Sequence, residues 1–219
     1  MDYTIKKTRR NKNIRLSINT KGEIVVSAPI RVSNGLISGF VQKHQAWIED
    51  KLKKIVVEPK SWTPNQSITI FNKNYVLRLW KLNLRPKYRL TEDSLWLKES
   101  EFKHLEQTLP KILKSDIFNY FDKKLVELNQ KYFQTSWKKL TIRSQKSRWG
   151  SYSSTGVLSL NWRLILAPEE ILNYVIIHEL AHIYHPNHSS KFWQLVGEYD
   201  PNFKIHRNWL KKNGNQLTP

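Results

Sequence analysis

Cysteine is absent from this 219-residue chain, and methionine occurs once, at Met1. Without cysteine there can be no disulfide, no cysteine-built zinc site and no cysteine nucleophile. No apolar run approaches the ~20 residues that a membrane helix needs. The start, Met1-Asp2-Tyr3-Thr4-Ile5-Lys6-Lys7, lacks the apolar stretch of a secretory leader. A soluble, cytoplasmic protein with no membrane partner is therefore expected. Glycine-rich phosphate loops, internal repeats and low-complexity tails are missing as well. Acidic residues are scarce, 18 against 37 lysines and arginines, for a net charge of +19. An excess of this size favours anionic partners, so nucleic acid bound through the basic surface is one expectation and a merely solvated surface is the other. The imbalance is uneven along the chain. Residues 1–60 carry 13 basic and 5 acidic side chains, net +8, whereas residues 168–200 carry one basic and five acidic, net −4.

What is present is a chemical motif inside an apolar segment. His178-Glu179-Leu180-Ala181-His182 reads His-Glu-x-x-His, embedded between Tyr174-Val175-Ile176-Ile177 and Ile183-Tyr184. On an α-helix, residues four apart share a face, so His178 and His182 can offer imidazoles to one ion. Zinc suits such a pair, and Glu179 on the adjoining surface can reach a water at the ion as general base. A buried helix with two incidental histidines is the competing reading. A polar trio in so apolar a helix is costly without partners, which favours the metal site. A zinc hydrolase, most often a peptidase, is the function this motif predicts. Since the net −4 segment holds the motif, positive charge is expected mainly outside the cleft.

A catalytic zinc normally takes three protein ligands. The downstream candidates are His185, His188, Glu198 and His206. His185 lies seven residues past His178, ~10.5 Å along a helix axis, too far to share an ion. Pro186 also argues that the helix stops near His185. A turn at Pro186-Asn187 brings His188 back, which makes it the expected third ligand with Glu198 as alternative.

The His-Glu-x-x-His-x-x-Gly-x-x-His pattern of metzincins is matched in its histidine spacing. His185, however, stands where that pattern has glycine, and a chain with no methionine beyond Met1 cannot form a Met-turn. The chain more closely resembles the YgjP-like metallopeptidases. That resemblance is carried by Ser147-Arg148-Trp149-Gly150-Ser151, Leu160-Asn161, the run from Tyr174 to His182, Asn187-His188-Ser189 and Phe192-Trp193. It is specific over about residues 143–210 and weaker elsewhere. It implies a zincin-like fold, a peptide or protein substrate and His188 as third metal ligand. Tyr152 departs from the family, where cysteine commonly follows Trp-Gly-Ser. SprT-like and WLM-type proteases are more distantly similar.

Taken in order, residues 3–28 alternate as a β-hairpin with its turn at Thr20-Lys21-Gly22. The basic run of residues 6–12 is a candidate phosphate contact, joined by Lys51, Lys53 and Lys54. Ser33 is the expected cap of one helix over residues 34–55, with Ile37, Phe40, Val41, Trp47 and Ile48 in its buried stripe. Residues 56–66 read as a linker. Ile68 to Phe71 and Tyr75 to Trp80 flank Asn72-Lys73-Asn74 as a second hairpin, followed by short strands near Tyr88 and Leu95. A kinked helix is expected over residues 100–133, with Phe118, Phe121, Leu125, Leu128 and Tyr132 inward. Strands at Leu140 to Arg143 and Val157 to Leu160 flank Trp149, and Val157–Asn161 is the expected free edge for an added substrate strand. Pro168, Glu169 and Glu170 open the metal helix. Two further helices follow.

The expectation is an α+β enzyme, with a β-rich region over residues 1–98 and a zincin-like metallopeptidase region over residues 99–219. His178, His182 and His188 hold Zn²⁺, and Glu179 is the base. Tyr184, Tyr199 and Arg148 are candidates to stabilise an oxyanion. Two alternatives are a zinc hydrolase of a phosphoanhydride, ester or amide, and a nucleic-acid-binding protein with a structural zinc. Glu179 discriminates against the latter, because a structural site needs no base.

Overall fold

The computed structural model describes residues 2–19, 22–55, 62–80, 88–145 and 147–217, the side chains of 53–55 excepted. Two compact units form, Met1–Lys60 and Ser61–Pro219. In the first, β1 (Thr4–Thr8), β2 (Arg15–Ile18) and β3 (Ile24–Pro29) make a sheet in the order β1-β3-β2, parallel between β1 and β3 and antiparallel between β3 and β2. Ile24, Val26 and Ala28 alternate inward and meet Ile37, Val41 and Ile48. Those three come from α1 (Asn34–Lys43) and α2 (Gln45–Ile55), two helices where one was expected. His44 makes the break. The Phe40 carbonyl, which an unbroken ladder would pair with the His44 N–H, accepts instead from His44 Nδ1 at 2.8 Å. Ser33 caps α1, its hydroxyl accepting from the Leu36 N–H at 3.3 Å. The break resets the helical phase, so Ile48 faces inward and Trp47 is 41% exposed, correcting its expected place in the core. Lys51 and most of the expected linker differ in standing: Lys51 Nζ lies 5.9 Å from the Trp47 ring, while residues 56–61 fall outside the described residues, as do Thr20 and Lys21 of the expected turn.

In the second unit, β4 (Ser67–Ile70), β5 (Lys73–Leu79), β6 (Tyr88–Leu90) and β7 (Ser94–Leu97) form a sheet ordered β4-β5-β7-β6. Its hairpin turns at Phe71 and Asn72, both left-handed, one residue earlier than expected. By packing, the chain divides after Lys60 and not near residue 98, because Ile68, Ile70, Leu77, Leu95 and Leu97 share one core with the helices that follow. Helices α3 (Glu99–Phe102), α4 (Leu105–Ile112) and α5 (Lys114–Leu128) come next, α5 running into a π turn over Asn129–Phe133. Ile117, Phe121, Leu125 and Leu128 make the buried stripe, and Phe118, expected there, is 40% exposed because Ile117 occupies the inward position.

The last sheet carries the site. It comprises β8 (Lys139–Arg143), β9 (Gly150–Tyr152) and β10 (Val157–Asn161) in the order β8-β10-β9. β10 is therefore the central strand, parallel to β8 and antiparallel to β9, and not the free edge the sequence suggested. Its residues Leu158, Ser159, Leu160 and Asn161 are buried consecutively, as a strand covered on both faces must be. The edges are β8 and β9, and β9 is the one that lines the cleft of the site. The helix α6 (Glu169–Tyr184) is buried on nearly all sides, which explains why its apolar pattern is almost continuous. Pro168 precedes its first turn, Glu169 and Glu170 sit at its positive end, and His185 closes it in extended geometry. α7 (Ser190–Tyr199) and α8 (Phe203–Asn213) complete the unit. No helix among the described residues is long and apolar enough to cross a membrane.

Candidate metal centre

Helical spacing places His178 and His182 on one face of α6, their ring centroids 5.0 Å apart. After Pro186 the chain turns back, and Ser189 caps α7 by accepting from the Phe192 N–H. This turn delivers His188, whose ring centroid lies 5.0 Å from His178 and 4.8 Å from His182. One ring nitrogen from each of the three lies within 4.8 Å of the others. His178 Nε2 and His188 Nε2 face each other at 3.1 Å. Two nitrogens held by one tetrahedral zinc would be ~3.4 Å apart. Phe192, fully buried, lies beneath all three imidazoles at 4.6–4.9 Å, and Trp193 stacks on His188 at 5.5 Å.

The donor chemistry fits a divalent cation. His182 Nδ1 lies 3.1 Å from the His185 carbonyl, which can only accept, so Nδ1 carries the proton and Nε2 keeps its lone pair. Burial, then the neighbouring His182 and His188 rings and Arg207, push the His178 pKa down to about 3. His178 is therefore neutral, and its buried Nδ1 has no hydrogen-bond partner. Of the other histidines named from the sequence, His185 contributes only that carbonyl, and His206 Nδ1 pairs with Asp200 Oδ2 at 2.8 Å. Glu198 is exposed on α7 and outside the histidine cluster.

Glu179 sits beside the cluster, 4% exposed. Burial pushes its carboxyl up to about 8, against the Tyr152 backbone hydrogen bond and the Arg148 guanidinium, which both favour the anion. The strand β9 is pressed onto this carboxylate. A Cβ at Gly150 would stand 2.5 Å from Glu179 Oε1, so only glycine fits. Asn161 steadies the preceding loop, its Nδ2 donating to the Gln145 and Arg148 carbonyls at 2.6 and 3.1 Å.

These groups line an open cleft of about 880 Å³. Its charged side chains are Arg148, Glu179, Arg207 and Lys211. Most of the 37 basic side chains do lie outside the cleft, as expected, but the net acidity of residues 168–200 does not carry over to its lining. Glu169 is engaged by Lys124, Asp200 by His206, and Glu170 and Glu198 do not line the cleft, while residues distant in sequence bring three cations to it. Two of the oxyanion candidates also point elsewhere. The Tyr184 hydroxyl donates to the Phe133 carbonyl at 2.8 Å, and Tyr199 stacks on Tyr132 at 4.9 Å. Arg148 does line the cleft, as does Tyr174, whose hydroxyl burial pushes up to about 12. Tyr174 was legible as the i−4 neighbour of His178. Arg207, Lys211 and the Tyr152 N–H had no local signal.

Three imidazoles converge in a solvent-open cleft, an arrangement that packing does not require and that suits a metal-dependent hydrolase. Within that class the chain belongs to the YgjP-like family, whose metallopeptidase domain matches residues 12–213. Peptides or proteins are accordingly its substrates. No curated protein matches the chain. Two solved structures are similar to part of it. One is the metallopeptidase zymogen abylysin of Pyrococcus abyssi, 26% identical over 42% of this chain and 93% of that one, with a TM-score of 0.39. The other is the metallopeptidase zymogen jannalysin of Methanocaldococcus jannaschii, 25% identical over 44% and 94%, with a TM-score of 0.35.

Proposed function

We propose that the chain is a zinc peptidase in which His178, His182 and His188 hold the ion and Glu179 is the general base. The observation that carries this reading is the convergence of three imidazole nitrogens within 4.8 Å beside a buried carboxylate. Zinc held there supplies Lewis-acid polarisation of the scissile carbonyl and acidifies water toward a pKa of ~7. The protein does the rest. With a dication held beside it, which favours the anion against the pKa of about 8 that burial imposes, Glu179 would accept a proton from the attacking water and pass it to the leaving amine. The Tyr152 N–H and the Cβ-free surface of Gly150 fix the carboxylate, so little reorganisation is needed during the reaction. The His185 carbonyl fixes the His182 tautomer, and Phe192 fixes the planes of all three rings. An extended peptide laid along the edge strand β9 would run beside Glu179, using the strand-addition mode of capture. A buried acidic group that is no member of the histidine cluster supports a catalytic role over a purely structural zinc.

The test combines metal analysis with hydrolysis of an unbiased peptide library. The purified protein should hold about one zinc, lose cleavage on chelation, and regain it on zinc addition. Full cleavage by chelated protein would remove the proposal.

A further inference from the structure

Among the described residues, no salt bridge engages the cations at the cleft. Arg207 and Lys211 stand four residues apart on α8, so one face of that helix presents both to the cleft. Arg148 approaches from the loop before β9. Among the described residues no carboxylate forms an ion pair with any of the three, although ion pairs elsewhere engage Lys124 and Arg163. The acid within the cleft, Glu179, is buried and held by the Tyr152 N–H. Arg207 is also positioned, not merely exposed. Its guanidinium carbon lies 4.8 Å from the centroid of the Trp193 ring. Trp193 is itself fixed between stacked neighbours, with His188 at 5.5 Å and Phe203 at 5.4 Å. A guanidinium laid over an aromatic face keeps its in-plane N–H donors free, in the fork geometry that matches a carboxylate.

We propose that this Arg148–Arg207–Lys211 face is a carboxylate-recognition subsite, so that the enzyme selects peptides carrying an acidic side chain or a free C-terminal carboxylate near the scissile bond. The inference rests on the peptidase reading and narrows its substrate class. The arrangement explains why a metal site, itself a cation when loaded, carries three further uncompensated cations at its rim. Such a cleft attracts acidic segments and repels basic ones, including those of this chain itself, whose net charge is +19.

The experiment uses zinc-loaded full-length protein and quenched peptides identical except at the residues flanking the scissile bond, which are Glu, Gln or Lys. Each peptide is made with a free or an amidated C-terminus. Exposed ion pairs are individually weak, so two or three acting together should favour Glu over Gln by about 10-fold in kcat/KM, mainly through KM. Arg207→Glu with Lys211→Glu should invert the order of the Glu and Lys peptides, and high salt should flatten it. Preference for the Glu peptides identifies a side-chain carboxylate, and a preference tied only to the free C-terminus identifies the terminal one. Equal handling of all peptides, or a preference untouched by the charge reversal, overturns the inference. Peptide binding to Glu179→Gln protein, followed by Trp fluorescence, separates this from the parent reading. Selective binding of acidic peptides that the wild type does not cleave would sustain the subsite and defeat the peptidase reading. Unselective binding would defeat the subsite.

Discussion

The two compact units bury different things. Among the described residues of Met1–Lys60, the buried side chains are all apolar, six of them meeting between one sheet face and two short helices. The interior of Ser61–Pro219 also takes in Ser94, Thr108, Asn129, Ser159, Asn161, Glu179 and Asp200. Most of these polar groups are satisfied within the fold. Asn129 bonds both backbone groups of Thr135, Ser159 pairs with Thr141, and Asp200 pairs with His206. Glu179 is the exception, because it faces a cleft and keeps acceptor capacity beyond the Tyr152 N–H. His178 shares that position, with one ring nitrogen unpartnered and the other aimed at His188. The contrast teaches that burial of a polar group is ordinary when the fold completes it, and points to function when the incomplete groups share one cleft, which the unpartnered Trp80 Nε1 and Asn173 Oδ1 do not.

The contrast can be broken most severely at His188. His188→Ala should remove bound metal and with it all metal-dependent hydrolysis, while Glu198→Ala should retain both; metal analysis of the purified variants checks this, and the opposite pattern would exchange the third ligand. Glu179→Gln should come next, keeping the fold and the metal while lowering kcat by ~10³-fold, read from initial rates beside a circular dichroism spectrum. Gly150→Ala tests whether the fold really is incomplete around Glu179. Its Cβ must displace the carboxylate or the strand, so a loss of ~10–100-fold in kcat and about 1–3 kcal/mol in stability is expected from kinetics and denaturant titration. The smallest effect belongs to the first unit. Replacing Lys6, Lys7, Arg9 and Arg10 with Glu should leave metal content and peptide hydrolysis unchanged. Those residues are instead the expected contact for labelled DNA or RNA at low salt, with affinity falling steeply as salt rises and indifferent to chelator. No binding at low salt would leave their charge as a solubility feature.

Part of this was legible in the sequence because it is local. The spacing of His178 and His182 converts to a shared helix face by geometry alone, and Pro186 sets the stop that lets His188 return. Ser33 as a cap and the inward alternation of Ile24, Val26 and Ala28 follow from equally short-range rules. Failures came where a neighbour decided. Trp47 and Phe118 carry the right apolarity at nearly the right spacing, but a helix break in one case and Ile117 in the other gave their places to other residues. Val157–Asn161 reads as a strand from its composition, yet no pattern within five residues says which strand will be central.

Sequence by itself determined the family, from motifs spread over residues 147–193, and the histidine helix with its three candidate imidazole donors, because His178, His182 and His188 lie within ten residues of one another. Tertiary structure alone decided which strand edges the cleft, why Gly150 can be nothing larger, and which charges surround the three histidines. The tally over residues 168–200 is net −4, whereas the cleft is lined by Arg148, Arg207 and Lys211. Electrostatic potential depends on distance in space, and folding engages Glu169 with Lys124 and Asp200 with His206 while bringing cations from a preceding loop and a following helix to the rim.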